Sequence, residues 1–262
     1  MENRTHRPCG GTPRRGLTLI ELLLVISVLG LLSAILIPAL SSGRHAAMDL
    51  KCRSGLRTIT TSFMDFASES GAGRRGDSDQ FAAGQFRLED FQESIYQVDE
   101  FWNDPTEDRV TIDSRTLPLA CPASPATLER RSGVPCSRGA VGPRKNISVG
   151  FNRRLDTTTR FIDDRAFPQN AYVTEKILNY ADVPLVFDVD GEKSAANNVI
   201  PYYSAPPLAR QDIPDIYSSG RYWIPSFRHR GSMNVAFIGG HVLSSRQPTQ
   251  EPWWRWDYEP EM

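Results

Sequence analysis

The sequence predicts an α+β fold in which one long N-terminal helix is followed by an antiparallel β-sheet with long loops. Three observations support this class. The first is an apolar run over 17–40, and the second is an apolar stripe at helical spacing directly after it. The third is a set of short strand-like runs in the second half of the chain, separated by segments rich in proline and glycine.

The apolar run has the length and composition of a membrane-spanning helix. Eighteen of its 24 residues are Leu, Ile, Val or Ala, and Glu21 is the only ionisable one. At about 1.5 Å per residue such a helix is about 36 Å long, which is enough to cross the ~30 Å hydrocarbon core of a bilayer. Because a carboxylate inside a span is costly, Glu21 is expected to have a partner.

The composition excludes several classes of protein. The chain has 262 residues, with 30 Lys plus Arg, 31 Asp plus Glu and a mean hydropathy of −0.38. The negative mean hydropathy excludes a polytopic membrane protein, and the near-zero net charge excludes a strongly basic nucleic-acid-binding protein. Residues 1–16 hold four Arg and one Glu, so 26 basic and 30 acidic residues remain without them, a net charge of −4.

A second helical segment follows the apolar run, and proline does not interrupt it. Its apolar residues recur at intervals of three or four, as on one buried face of a helix. They are Met48, Cys52, Leu56, Ile59, Phe63 and Phe66. One continuous helix is therefore predicted over about 17–68, and a polar, glycine-containing segment at 69–79 ends it.

Short apolar runs in the remainder of the chain predict the strands of the sheet. They are Ile147–Phe151, Pro184–Asp188, Tyr222–Ile224, Asn234–Ile238 and His241–Ser244. Phe81–Tyr96 is an ambiguous helical candidate, and helical signals are few after residue 100.

The segment Gly16–Glu21 (GLTLIE) and the apolar helix after it resemble the prepilin, or class III, signal. The resemblance implies cleavage between Gly16 and Leu17 by the prepilin peptidase/N-methyltransferase, with Leu17 as the methylated N-terminus. It implies a pairing of Glu21 with the N-terminal amine of a neighbouring subunit. The family more often has Phe at the position of Leu17, and Pro38 lies where many members have a helix kink.

Two other kinds of N-terminal segment compete with this interpretation. A secretory signal peptide has an apolar region of only about 7–15 residues without an acid, and a simple signal anchor is the closer competitor. Basic residues flank both ends of the span, so the positive-inside rule does not fix the orientation. The prepilin resemblance implies a single-pass protein of the inner (cytoplasmic) membrane, with its C-terminal domain periplasmic or extracellular.

Segments along the rest of the chain resemble one pilin-like family, sometimes called DUF1559, which has a prepilin N-terminus and a C-terminal H-x9-DG processing-associated motif. The segments are Lys51–Arg57, Ala120–Pro122, Ile147–Asn152, Pro184–Asp188 and Arg228–Val242. The resemblance implies a pilin-like fold. The predicted parts are a leader peptide (1–16), a transmembrane helix (17–40), its amphipathic continuation (41–70) and an extracytoplasmic α+β domain with a C-terminal hairpin and aromatic tail (71–262).

The chain departs from the H-x9-DG motif at the position of its Asp. Ten residues after His229, where the family has Asp-Gly, this chain has Gly239-Gly240. Gly-Gly suits a two-residue type I′ hairpin, because both positions of that turn need a positive φ. Since the turn is kept while the carboxylate is lost, we predict a structural role for the motif, with His229 hydrogen-bonded near the hairpin.

Neither a metal nor a cofactor is predicted. His229 and His241, together with Asp188 and Asp190, form an alternative zinc set, but they lack a compact ligand spacing. The acidic segment 188–192 resembles a fragment of a calcium loop without its later ligands, so an acidic surface turn is predicted there.

The four cysteines differ in their expected states. Cys9 lies in the leader, and Cys52 lies on the apolar stripe, where a buried thiol is expected. Cys121 and Cys136 are separated by fourteen residues in a proline-containing segment. Outside the cytoplasm this pair is predicted to form a disulfide.

No catalytic motif for hydrolysis, nucleotide binding or metalloprotease chemistry is present, so the chain is not predicted to be an enzyme. The tail 251–258 holds three of the five Trp residues, which would either cover the sheet or dock a partner. The predicted function is a structural subunit of a type II secretion-like or type IV pilus-like filament, partnered by other pilin-like subunits. The alternative is a membrane-anchored periplasmic or surface binding protein that does not polymerise.

Overall fold

The structure is a computed structural model, and the residues it describes are 18–71, 84–96, 111–113, 121–124, 127–129, 148–162, 165–197, 199, 203–208, 216–258 and 260. The chain divides into two compact units, Met1–Arg44 and His45–Met262. The leader 1–16 and Leu17 lie outside the described residues.

The first helix, α1, begins at Leu19 and ends at Gly71, with Pro38 inside it. The predicted long N-terminal helix is thus confirmed over the described residues. Its predicted apolar stripe is buried from Cys52 to Phe66, where no stripe residue is more than 5% exposed, and Met48 is half-buried. Burial on one face follows from the intervals of three and four between these residues, which place them in one row along the helix.

Short strands make up most of the remaining secondary structure. They are β1 (Gln85–Phe86), β2 (Thr111–Asp113), β3 (Thr127–Glu129), β4 (Val149–Asn152), β5 (Thr157–Ile162), β6 (Arg165–Asn170), β7 (Val173–Thr174), β8 (Pro184–Asp188), β9 (Tyr203–Ser204), β10 (Met233–Phe237) and β11 (Val242–Ser245). Two further helices are α2 (Leu88–Tyr96) and α3 (Gly191–Ala196), and two 3-10 turns cover Arg153–Leu155 and Glu175–Asn179.

The main sheet has five strands in the order β11-β10-β8-β4-β9. All of its neighbours are antiparallel except β4 and β9, which pair in parallel over two residues. The three central strands are buried at every position, which is why they read as nearly continuous apolar runs. The pairs β1–β7, β2–β3 and β5–β6 form separate two-stranded antiparallel sheets.

One predicted strand is absent from the structure. The segment Tyr222–Ile224 lies outside every strand. Its backbone is hydrogen-bonded to a side chain of β9 and to the residue that follows β9, without a strand ladder. Ala205 N–H donates to the Tyr222 carbonyl, and Ile224 N–H donates to Ser204 Oγ. The ambiguous segment Phe81–Tyr96 is helical only from Leu88, and Gln85–Phe86 forms β1.

The core of the second unit joins the buried face of α1 to the main sheet. Phe63 and Phe66 of α1 meet Phe86 and Phe91 in four edge-to-face contacts, with ring centroids 5.2–5.9 Å apart. Phe91 in turn contacts Phe151 of β4 at 6.2 Å. A long helix combined with antiparallel sheets confirms the predicted α+β class and is consistent with a pilin-like fold.

Candidate functional site

Helix α1 begins with a reciprocal hydrogen-bonded cap. The Thr18 backbone N–H and the Thr18 hydroxyl both donate to Glu21 Oε2 at 2.8 Å, and Glu21 N–H donates to Thr18 Oγ1 at 3.4 Å. This arrangement is a capping box, which satisfies backbone donors that the first helical turn leaves without partners. The predicted cleavage residues Gly16 and Leu17 lie immediately before it, outside the described residues.

The first unit presents an apolar helical surface. Every described residue from Thr18 to Arg44 is exposed, including the large apolar side chains between Leu19 and Leu40, of which each is at least 48% exposed. Within the described residues, α1 is the one helix long and apolar enough to cross a membrane. An apolar surface of this size needs lipid or other helices as its surroundings, which fits a membrane-anchored, single-pass protein.

The second unit holds a buried polar cluster around His229, the histidine of the C-terminal motif. His229 Nδ1 lies 3.3 Å from Asp49 Oδ1 on α1. Its Nε2 lies 3.3 Å from Cys121 Sγ and 3.5 Å from Asp188 Oδ2 at the end of β8. The motif histidine thus brings together the long helix, a loop and the main sheet.

Burial controls the protonation of this cluster. It raises the pKa of the Asp188 carboxyl to about 7, although the Arg228 guanidinium and the Asn234 N–H act in the opposite direction. It also lowers the pKa of His229, against the attraction of the Asp49 carboxylate, and so favours a neutral imidazole.

Asn234 of β10 connects the two carboxylates. Its backbone N–H donates to Asp188 Oδ2 at 3.0 Å, and its side-chain amide donates to Asp49 Oδ1 at 2.9 Å. Ser244 Oγ on β11 donates to Asn234 Oδ1. Arg228 donates to the backbone carbonyls of Ser148 and Val189, next to the cluster. His229 stands out in the sequence through its motif, whereas no spacing in the sequence connects Asp49 or Asn234 to it.

Cys52 and Cys121 form a disulfide across 69 residues of sequence. The predicted Cys121–Cys136 disulfide is therefore wrong, since Cys121 has a different partner; Cys136 lies outside the described residues. The expected free thiol at Cys52 is also wrong, although the residue is buried as expected. The reason lies in the tertiary contacts. Cys52 is on the face of α1 that packs on the sheet, and Cys121 is held there because its N–H donates to Ser148 Oγ at 2.6 Å.

The hairpin between β10 and β11 differs from the predicted two-residue type I′ turn. Gly240 has a positive φ of 81°, whereas Gly239 does not have a positive φ. Gly240 N–H donates to the Phe237 carbonyl at 2.8 Å, and Phe237 N–H donates to the His241 carbonyl at 3.0 Å. These bonds enclose the three-residue loop 238–240 with its left-handed residue last, a common hairpin connection.

The alternative zinc set forms only in part, because Asp188 lies beside His229 whereas His241 packs on a ring of β10. His241 stacks on the Phe237 ring with centroids 4.5 Å apart, whereas His229 contacts Asp49, Asp188 and Cys121. Asp190 Oδ1 accepts a hydrogen bond from Lys193 N–H at 3.1 Å, and so caps the short helix α3.

The tryptophan side chains of the tail differ in their burial. Trp256 is 2% exposed, contacts the rings of Phe187 and Trp223 at 5.1 and 5.6 Å, and donates from Nε1 to the Pro248 carbonyl. Trp253, in contrast, is 79% exposed. The predicted covering role therefore applies to Trp256, whereas docking of a partner by the tail stays a prediction.

Comparison with known proteins gives one match. Residues 12–37 match a family model described as the prokaryotic N-terminal methylation motif. The match covers Gly16, Leu17, the Thr18–Glu21 cap and most of the apolar run, and it supports a prepilin-type, type IV pilin-like precursor. No curated protein and no solved structure matches the chain.

Proposed function

We propose that this protein is a pilin-like or pseudopilin-like structural subunit of a type II secretion-like or type IV pilus-like filament. The N-terminal methylation motif over residues 12–37 carries the proposal. The exposed apolar surface of α1 supports it, because such helices need either lipid or each other once they leave the membrane.

In this proposal the prepilin peptidase/N-methyltransferase cuts between Gly16 and Leu17 and methylates Leu17. The helices of neighbouring subunits then bundle through their apolar surfaces, and Glu21 pairs with the N-terminal amine of the next subunit. The carboxylate of Glu21 is already held at the start of α1 by two hydrogen bonds from Thr18, so it is positioned near the new N-terminus. In lipid an opposite charge offsets the cost of that carboxylate.

The Cys52–Cys121 disulfide supports an extracytoplasmic position for the second unit. Disulfides persist in the periplasm and at the cell surface, whereas cytosolic thiols are kept reduced. This argument is independent of the basic residues on both sides of the span, which leave the orientation open. It favours an inner-membrane protein whose C-terminal unit is periplasmic or extracellular.

Mass spectrometry of the mature N-terminus tests the processing step. The expected product begins at Leu17 and carries one methyl group, and Gly16→Glu should abolish cleavage because the peptidase then meets a bulky charged residue at its cutting point. An intact N-terminus or a start at Ser42 in the wild-type protein would refute the proposal.

Glu21→Ala tests assembly, with Thr18→Ala as its matched control. Both variants break the capping box, but only the first removes the carboxylate. Cleavage in both variants and loss of shear-released filaments in Glu21→Ala alone are expected. If the two variants lose filaments equally, Glu21 acts only as a helix cap and not as a partner of the N-terminal amine. Strict membrane retention of the wild-type protein would instead favour a non-polymerising anchored binding protein.

A further inference from the structure

The cluster around His229 has the composition and geometry of a metal site. The sulfur atoms of Cys52 and Cys121 and a ring nitrogen of His229 all lie within 4.8 Å of one another, and all three residues are buried. Asp188 Oδ2 lies 3.5 Å from the same imidazole Nε2. We infer that, once the Cys52–Cys121 disulfide is reduced, these four side chains bind a zinc ion or a similar divalent transition metal.

Two of the distances around His229 already have the spacing of neighbouring ligands in a tetrahedral site. Ligand atoms bound to zinc at about 2.0–2.3 Å lie roughly 3.3–3.8 Å from one another. His229 Nε2 is 3.3 Å from Cys121 Sγ and 3.5 Å from Asp188 Oδ2. The two sulfurs are bonded to each other and must separate, and reduction removes that bond.

The surroundings of His229 orient it as a ligand. Asp49 Oδ1 lies 3.3 Å from Nδ1, which favours a proton on that nitrogen and leaves the Nε2 lone pair facing Cys121 and Asp188. A carboxylate behind a ligating histidine is the usual way in which proteins fix the tautomer of that ligand. Asn234 donates to Asp49 and thereby holds the carboxylate in place.

Asp188 next to the cluster has a buried oxygen without a hydrogen-bond partner. Its side chain is fully buried, and its Oδ1 has no hydrogen-bond partner within the described part of the chain. A buried oxygen without a partner is rare and needs an explanation. A metal bound through both carboxylate oxygens would supply one, since Oδ2 is the atom beside His229.

Formation of the site follows a balanced sequence. A dithiol reductant transfers two electrons and two protons to the disulfide, which becomes two thiols, and the dithiol itself is oxidised to a disulfide. The metal then displaces both thiol protons to solvent and is bound by two thiolates, the neutral imidazole and the carboxylate. A surface cavity of about 370 Å³ is lined by His229, Asp49 and Arg230 among others, so it reaches the edge of the cluster at His229.

The test uses the full chain in detergent, with Cys9→Ser and Cys136→Ser introduced so that only the two cluster cysteines remain. Cobalt(II) serves as the spectroscopic probe and zinc as its competitor. The oxidised protein should bind neither ion at this cluster. The reduced protein should take up a single equivalent, with the visible bands of tetrahedral cobalt and a thiolate-to-cobalt charge-transfer band, and zinc should displace the cobalt.

Variants assign the ligands. Cys52→Ser and His229→Gln should remove the tetrahedral spectrum, whereas His241→Gln, at a histidine outside the cluster, should keep it. Asp49→Asn should keep the spectrum and weaken binding by about 10–100-fold, because it disturbs the orientation of a ligand without removing one.

Three results would overturn the inference. One is a reduced protein that remains folded by circular dichroism and takes up no metal. Another is uptake that persists in both Cys52→Ser and His229→Gln. The third concerns a second unit that unfolds on reduction. Zinc binding should then restore its circular dichroism spectrum, and a spectrum that stays unfolded after zinc is added would reject the site. None of these results bears on filament assembly, so the inference and the proposed function stand or fall separately.

Discussion

Gly239 lies directly against Ala181 at the tip of the C-terminal hairpin. Its N–H donates to the Ala181 carbonyl at 3.1 Å, and a Cβ built on Gly239 would lie 2.7 Å from the Ala181 Cβ and 3.0 Å from that carbonyl oxygen. Position 239 therefore needs glycine for a close approach of two backbone segments. An Asp at this position, as in the H-x9-DG motif that the segment resembles, would meet the same obstruction, so the departure from that motif agrees with the local packing.

Gly239→Ala is expected to lower the free energy of unfolding by about 1–3 kcal/mol, because the added methyl forces the hairpin away from Ala181. Ala181→Gly in the same chain should recover part of this loss, since it removes the nearest carbon but leaves the carbonyl oxygen in place. A double-mutant cycle measured by urea denaturation checks the coupling. Additive effects of the two substitutions would show that the Ala181 methyl group is not the obstruction.

The Cys52–Cys121 disulfide should contribute strongly to stability, because it closes a segment of 69 residues. In the chain-entropy model such a loop corresponds to about 4 kcal/mol, and measured values are commonly 2–4 kcal/mol. Cys52→Ser with Cys121→Ser should lower the free energy of unfolding by that amount under oxidising conditions. The matched control is Cys136→Ser, which should leave both the stability and the disulfide-linked peptide seen by mass spectrometry unchanged; a Cys121–Cys136 peptide would contradict the structure.

The residue spacing within a segment predicted the helical stripe of α1 and the buried strand β8. The stripe from Cys52 to Phe66 is buried because its spacing matches the helix repeat, and Pro184–Asp188 is a strand with the predicted bounds because it lies buried in the centre of a sheet. The hairpin β5–β6 was missed because Pro168 breaks its strand pattern, and a proline is tolerated there since that two-stranded sheet has open edges.

The candidate site was predictable only in part, because its partners are distant in sequence. His229 was singled out by its motif, but Asp49 is 180 residues away on α1, and Cys121 comes from a separate loop. Neither spacing nor composition encodes such contacts; they arise when the stripe of α1 packs on the sheet. The disulfide was misassigned for the same reason, as proximity in sequence favoured Cys136 over the spatial neighbour Cys52.

The tail should show two different tryptophan effects. Trp256→Ala is expected to lower the free energy of unfolding by about 3–5 kcal/mol, because it empties a buried position beside Phe187 and Trp223. Trp253→Ala, at an exposed position, should change the free energy of unfolding by no more than about 0.5 kcal/mol. Urea denaturation of both variants measures the difference, and equal losses would mean that Trp253 also packs.

The buried carboxyl of Asp156 should make stability depend on pH. Burial raises its pKa; the Thr157 hydroxyl and the charges of Arg87 and Arg153 act against the rise, and Asp90 adds to it. The folded protein therefore holds this proton more tightly than the unfolded chain does. The stabilisation that results is complete below the unfolded pKa and is lost as the pH rises through the folded pKa.

Asp156→Asn should remove this contribution, because the amide does not ionise. The difference in unfolding free energy between the wild-type and Asp156→Asn proteins, measured by urea denaturation from about pH 3 to about pH 7, should move in favour of the variant as the pH rises. A wild-type and an Asp156→Asn profile that run parallel would show that Asp156 titrates alike in the folded and unfolded chains.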